Sequence, residues 1–373
     1  MKVPFLDLRV TDPEERAALL GAVARVLDHG RMVMGPEVEQ LESRLAAACG
    51  RRHAVAVASG THALWLALKT LGLRPGDEVI TTSLSWIATA NAIALAGGTP
   101  VFADVGDDLN LDPASVARLI TPRTRALVPV HYTGKICGMD ALTEIARAHG
   151  LAVVEDAAQA FGATQRGRMA GSFGRLAAFS MNPMKVLAGC GEAGAVVTDD
   201  PELHERLVAL RYNGCVNREL CVEPALNGRI DTLEAALLLE RLQRLPAVLA
   251  ARRRHAARYD VLLRGLVDTP PVSADGEDVY YTYTIRADNR DDLRAFLEQH
   301  GVETKIQHSL LMPDQPAYKT GVRGEFTRAR ALQQRYLCLP VHEKLSAEHV
   351  DYVAARIRAF YAQAAAVPLA SVA

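Results

Sequence analysis

Seven short apolar runs recur in the first two hundred residues, at 54–58, 78–82, 99–103, 126–130, 151–155, 176–180 and 193–198. Their length and their content of Val, Ile, Ala and Thr predict strands buried on both faces. Apolar positions at helical spacing fill most of the intervals, over 61–71, 87–96, 113–119 and 140–149. Strand and helix in alternation predict an α/β fold, a mostly parallel seven-stranded sheet between helices. Ligands in such sheets bind beyond the carboxyl ends of the strands, where Ser59-Gly60-Thr61, Asp156 and Ser180 fall.

The pattern changes after residue 245. Leu245-Pro246 predicts the end of one helix, 248–263 a long second one, and then strands near 280–286 and 303–307 with a helix over 291–300 between them. The expected organisation is a large domain over 1–245, including the N-terminal segment, and a smaller C-terminal α+β domain over 246–373, the helix from Val248 connecting them.

Composition narrows the function. The 373 residues are 49% hydrophobic and 23% charged, enough for one large core and a smaller second one. Its 42 basic and 43 acidic residues leave a net charge of −1, so neither nucleic acid nor an anionic membrane is an expected partner. Residues 1–7 hold no signal-peptide pattern, and no run reaches the roughly 18 apolar residues of a membrane helix, so a cytoplasmic enzyme is expected. The six cysteines, at 49, 137, 190, 215, 221 and 338, form no CxxC pair and have no histidines at metal spacing. They read as reduced structural thiols, with no metal site expected.

Two segments carry chemistry. Val153-Val154-Glu155-Asp156-Ala157-Ala158-Gln159 is followed, after a short glycine-rich connection, by Phe179-Ser180-Met181-Asn182-Pro183-Met184-Lys185. A lysine can hold the aldehyde of pyridoxal phosphate as a Schiff base, and an aspartate at a strand end can pair with the protonated pyridine nitrogen. Ser59-Gly60-Thr61 leaves a strand and opens a helix, where backbone N–H groups face an anion such as phosphate, although a plain helix cap would use the same residues. Trp86 stands at the next strand-to-helix junction, where it could stack on a pyridine ring or simply join the core. Gly189-Cys190-Gly191-Glu192-Ala193-Gly194 matches a dinucleotide fingerprint, but a strand-like run rather than a helix follows it, so it is set aside. Arg252-Arg253-Arg254 is expected to be a solvated helix face.

Across nearly the whole chain these motifs resemble the DegT/DnrJ/StrS family of pyridoxal phosphate-dependent sugar aminotransferases, of the fold type I class. Further matching stretches are Val3 to Leu8, Gly35-Pro36-Glu37-Val38, Pro75 to Ile80 and Asn227 to Thr232. The resemblance implies that Lys185 binds the cofactor covalently, Asp156 contacts its ring nitrogen, Gln159 lies near its phenolic oxygen and Trp86 stacks on it. Gly60, Thr61 and Ser180 would hold the phosphate. Asn227 would reach the phosphate of a neighbouring subunit, making a homodimer with shared sites; a cap on the helix near Asp231 is the competing role.

Glutamate would be the amino donor and a nucleotide-linked keto-deoxysugar the acceptor. His131-Tyr132-Thr133-Gly134-Lys135 resembles members that act at C4 rather than C3, whereas Glu303 to Ser309 lacks the family's common His-Tyr-Pro run. Residues 212–226 fall in a variable loop that would help form the sugar site. Two alternatives stay open: a keto-cyclitol acceptor, and a cofactor-binding regulatory protein without turnover. A related dehydratase subgroup carries histidine where Lys185 stands, so the lysine argues against dehydration.

Overall fold

The computed structural model describes residues 1–320 and 323–366; positions 321, 322 and 367–373 of the expected C-terminal domain lie outside the described residues. Helices α1 (Pro13–His29) and α2 (Pro36–Ala48) precede β1 (His53–Val57), α3 (Gly60–Lys69), β2 (Glu78–Thr82), α4 (Ala88–Leu95) and β3 (Thr99–Ala103). Next come α5 (Pro113–Leu119), β4 (Thr124–Val128), α6 (Met139–His149), β5 (Ala152–Asp156), the two-residue strands β6 (Thr164–Gln165) and β7 (Arg168–Met169), β8 (Leu176–Ser180) and β9 (Gly194–Thr198). Then follow α7 (Pro201–Arg211), the small hairpin β10 (Cys215–Val216) and β11 (Leu220–Cys221), α8 (Thr232–Leu262), β12 (Gly276–Glu277) and β13 (Tyr283–Arg286). The last elements are α9 (Arg290–Gln299), α10 (Thr327–Arg335), β14 (Tyr336–Leu339) and α11 (Ala347–Ala366).

One dipeptide starts three of these helices. Asp12-Pro13, Asp112-Pro113 and Asp200-Pro201 open α1, α5 and α7, each aspartate accepting first-turn N–H bonds while the proline supplies a preset φ and no surplus donor.

The seven-stranded sheet has the order β1-β9-β8-β5-β4-β2-β3. β9 runs antiparallel to both neighbours and the other pairings are parallel. Two antiparallel pairings in succession return β1 to the common direction, so six carboxyl ends share one edge. Alternate residues feed two cores. Ala56, Ile80, Leu127, Val153 and Phe179 face a core closed by α2, α6 and α8. Val55, Val79, Val128, Val154 and Val196 face another closed by α3, α4 and α7. Each buried side chain of this size contributes about 1.5–3 kcal/mol, which explains why the runs are apolar on both faces.

A third core joins Tyr259, Tyr283, Ile285, Leu293, Leu337, Val353 and Ile357. It also takes in Val3, whose backbone pairs with Val302, so the N-terminal strand residue packs with the C-terminal elements and not with the sheet.

Four expectations are corrected here. Pro246 ends no helix: α8 runs unbroken through it, with Leu238 and Leu245 in the first core and Ala256 and Tyr259 in the third. A proline removes one intrahelical bond, and packing of α8 against α1, α2 and α11 outweighs that loss of roughly 3 kcal/mol. Residues 303–307 form no strand, because the chain pairs with Val3 at Val302 and with Cys338 at Lys305, two partners that share no ladder. β13 starts only at Tyr283, since Tyr280 has a φ of 48° that interrupts extended backbone. Arg252 is not solvated either. It is 3% exposed, pairs with Glu343 at 3.2 Å and donates to the Tyr280 carbonyl at 3.1 Å.

Candidate active site

The shared edge gathers the loops that follow β1, β2, β4, β5 and β8 around one cavity of about 400 Å3. Gly60, Thr61, Trp86, Asp156, Gln159, Ser180 and Lys185 all line it. Asn227 does not. A larger cavity of about 670 Å3 opens at the opposite edge, near Arg74, Arg147 and Arg175, and holds none of these residues.

Asp156 ends β5 and is 6% exposed. Its Oδ2 accepts from the Thr89 hydroxyl at 2.7 Å and its Oδ1 from the Ala158 N–H at 3.2 Å. Burial pushes this carboxyl above its usual range, against the pull of Thr89, Ala158 and the Lys185 charge. A buried anion so placed is completed by a cation. The adjacent Glu155 points the other way. Its burial is outweighed by bonds from His131 at 2.9 Å and from the N–H groups of Gly171, Phe173 and Gly174, which hold its carboxyl below the usual range and tie down the loop ahead of β8.

Lys185 follows β8 in a turn closed by its own N–H to the Asn182 carbonyl, and the Asn182 side chain is fixed by Glu192 at 2.6 Å. The lysine ammonium lies 4.7 Å from the centre of the Tyr281 ring. Gly60 is dictated by contact: a Cβ there would overlap the Ser180 side chain, so only glycine lets the start of α3 meet the end of β8. Ser59 caps α3 by accepting the His62 N–H at 3.1 Å. The N–H groups of Gly60 and Thr61 remain at the positive end of the helix, beside the Ser180 hydroxyl. Gln159 is 6% exposed and accepts from the Thr133 N–H at 2.9 Å. Trp86 is 61% exposed, which excludes the core role considered for it.

These groups fit pyridoxal phosphate. A buried carboxylate with no ion pair among the described residues, a lysine, a flat exposed ring and a helix N-terminus pressed against a serine lie in one cavity and match the cofactor's ring nitrogen, aldehyde, ring face and phosphate. The glycine-rich stretch at 189–194 is occupied otherwise, since Glu234 accepts from the Cys190 N–H at 2.8 Å and β9 follows it.

The sequence did not single out Thr89, Tyr281, Lys305, Gln307 and His308 as site residues. Thr89 lies one turn into the helix after Trp86 and could have been found from that spacing. The others come from C-terminal segments whose approach no local pattern records. His308 is pinned by Tyr336, whose hydroxyl accepts the His308 N–H at 3.0 Å and donates to its carbonyl at 2.6 Å. Its ring stands 5.9 Å from Trp86 and 5.7 Å from Tyr132, and its buried Nε2 has no partner among the described residues.

Burial, then the charges of Lys185 and Lys305, brings the His308 imidazole down to about 3. The fold therefore favours the neutral ring, and the unfolded chain takes up the proton first as pH falls below about 6.5. Stability is full above that pH and declines from there toward pH 3. Cofactor-free His308→Gln should lose about 1–2 kcal/mol less than the parent between pH 7 and pH 5 in urea titrations; equal losses would refute the assignment.

Asn227 lies on the surface, and its Oδ1 accepts from Arg229 Nε at 2.9 Å. It does not cap α8, whose N-cap is Asp231.

Fold and cavity together define a pyridoxal phosphate-dependent transferase with its lysine after a central strand. The profile of the DegT/DnrJ/EryC1/StrS aminotransferase family matches residues 13–358, and the chain belongs to that family. It is 44% identical over 345 residues to the dTDP-3-amino-3,4,6-trideoxy-alpha-D-glucose transaminase of Streptomyces venezuelae, covering 91% of each chain. It superposes on the crystal structure of S. venezuelae DesV in complex with a ketimine intermediate with a TM-score of 0.93 and 42% identity, covering 96% of this chain and 98% of that one. It also resembles NtdA from Bacillus subtilis with bound cofactor PMP, with a TM-score of 0.90 and 31% identity, over 96% of this chain and 85% of that one. The chain is thus a pyridoxal phosphate-dependent aminotransferase, of the fold type I class expected from its motifs.

Proposed function

We propose that the chain moves an amino group from glutamate to the carbonyl carbon of a nucleotide-linked keto-deoxysugar in amino-sugar biosynthesis. The observation that carries this reading is the single cavity holding Lys185 and Asp156, with room extending past them to Tyr281, Lys305 and His308. Pyridoxal phosphate, when bound, supplies an electron sink and a carrier for the amino group. Asp156, oriented by Thr89, keeps the ring nitrogen protonated, and Trp86 and Gln159 hold the ring's face and phenolic side. Gly60, Thr61 and Ser180 hold the phosphate. Lys185 Nζ would hold the aldehyde of the bound group and would move the proton at the substrate carbon. Trp86 and His308, whose rings stand 5.9 Å apart in the cavity lining, would help to shield that carbon from water.

The keto position rests on two supports that differ. The stretch from His131 to Lys135 motivates C4. Yet both His131 ring nitrogens are engaged inside the protein, by Glu155 and by the Cys137 N–H, so this histidine reads no sugar. The Streptomyces relative is named for an amine at carbon 3, and this favours C3. A keto-cyclitol is the second acceptor class, since the cavity presents a lysine pair and a histidine that would suit a polyhydroxylated ring of either kind. Single-turnover decay of the aminated cofactor's absorbance against nucleotide keto-sugars and keto-inositols tests the reading, and NMR of the product assigns the carbon. Turnover of a keto-inositol alone would overturn the sugar reading.

We further propose that the enzyme is a cytoplasmic homodimer and that residues 1–245 and 246–373 act as its large and small domains. In the dimer, Asn227 of one subunit completes the phosphate cup of the other. Its surface position outside its own cavity supports this. Mixing Lys185→Ala with Asn227→Asp chains gives, under sharing, heterodimers with both lesions in one site and the other intact. Activity is expected to return toward half the parent value per such heterodimer as subunits exchange. No recovery despite confirmed heterodimers would refute sharing.

A further inference from the structure

The hairpin between α7 and α8 holds a cysteine pair that amino-group transfer does not use. Cys215 and Cys221 are direct cross-strand partners in β10 and β11. The Val222 N–H donates to the Gly214 carbonyl at 2.9 Å, which makes Cys215 and Cys221 a non-hydrogen-bonded pair, the kind with the closer side chains. Such pairs place Cα atoms about 4.5 Å apart, inside the 4.4–6.8 Å span of disulfides, with both Cβ atoms on one side of the hairpin. Both sulfurs also converge on one atom, the Asn213 carbonyl oxygen, at 3.8 Å for Cys215 and 3.6 Å for Cys221. Cys221 is exposed and Cys215 partly so, whereas Cys49, Cys137 and Cys338 are buried. Cys190 is exposed but lies in a different loop, bonded to Glu234.

Beyond an anchor at Glu223, which pairs with Arg206 at 2.9 Å and Lys69 at 3.0 Å, the hairpin is lightly held. Its turn passes through Asn217 and Arg218, both with positive φ, and is closed by the Glu219 N–H to the Val216 carbonyl at 3.2 Å. Its base is the bridge between Tyr212 and Asn227, with the Arg229 guanidinium 4.6 Å from the Tyr212 ring. Leu220, Val222 and Leu226 are exposed, so little apolar burial fixes the loop. A covalent link across β10 and β11 changes its freedom more than it would in a packed element.

We propose that Cys215 and Cys221 form a reversible dithiol–disulfide site that locks this hairpin, with the disulfide of a low-molecular-weight thiol as its oxidant. One protein thiolate attacks the small disulfide, forming a mixed disulfide and releasing one small thiol. The second protein thiolate then attacks the bound protein sulfur and releases the other. Two protein thiols are oxidised, one small disulfide is reduced, and the two protons leave on the two small thiols. An exposed bond closing a short loop lies at the labile end of protein disulfides, which suits a switch better than a permanent staple.

Trypsin gives a direct readout, because Arg211, Arg218 and Arg229 divide the segment into peptides 212–218 and 219–229 with one cysteine each. Full-length, cofactor-loaded enzyme is equilibrated in glutathione redox buffers, its remaining thiols are alkylated, and it is digested without reduction. The expected product is peptides 212–218 and 219–229 joined by a disulfide within one chain, formed in preference to a mixed disulfide on Cys190 and reversed by dithiothreitol. Cys215→Ser should leave Cys221 carrying only glutathione, while Cys190→Ser leaves the linkage unchanged. Amide exchange across 213–226 should slow by about tenfold on oxidation. Separate glutathione adducts on Cys215 and Cys221 in the parent, a link between chains, or unchanged exchange in linked protein would each overturn the proposal. The result does not depend on the identity of the amino acceptor.

Discussion

Replacing Lys185 by alanine is expected to remove turnover altogether, together with the covalent attachment of cofactor that borohydride fixes in the parent. The expectation follows from how the lysine is held. It projects from a turn fixed by Asn182 and Glu192 into the same cavity as Asp156, and among the described residues no ion pair engages its ammonium. General acid–base and covalent roles fall on one amine, and losing both leaves no group to take their place; positioned proton transfer alone contributes about 10²–10⁴-fold. Cofactor still binds through the phosphate cradle at Gly60, Thr61 and Ser180, so content should fall less than activity. Peptide mapping of the reduced parent should place the adduct on Lys185. An adduct on Lys135 or Lys305 would sink the assignment.

How much of this was legible in advance divides along a physical line. The sheet strands are buried on both faces, so their apolar runs are continuous, and five of the six that share one edge carry the site loops there. Local pattern therefore located Asp156, Ser180, Lys185 and the Ser59-Gly60-Thr61 turn. The C-terminal unit resisted the same reading. Its third core is assembled from Val3, the far end of α8 and elements beyond residue 280, contacts of long sequence separation that leave no period to read. Pro246 and the arginine run misled for a related reason. Local preference there is overridden by tertiary partners, the packed flanks of α8 and the Glu343 pair of buried Arg252. His308 illustrates the limit best, since its neutral state depends on burial and on the charge of Lys185, far away in sequence, as well as on neighbouring Lys305.

Asp156→Asn separates charge from shape at the ring nitrogen. The asparagine side chain nearly matches the carboxylate in volume, and its carbonyl oxygen can still accept from Thr89 or from the Ala158 N–H, so β5 and the cavity should keep their form. What disappears is the negative charge, which the protein holds in a buried site against a desolvation cost that already pushes the carboxyl up. A cation placed beside it offsets that cost, and only the charged form keeps a pyridine nitrogen protonated at neutral pH. The loss should therefore fall on the chemical step, by at least about 10²-fold in single-turnover rate, as for other positioned charges in water-poor sites. Cofactor content should change far less, because the phosphate cradle is untouched. A Thr89→Val control, which keeps the charge and removes its 2.7 Å hydrogen bond, should lie between the two proteins. Near-normal single-turnover rates for Asp156→Asn would show that ring protonation is supplied from elsewhere.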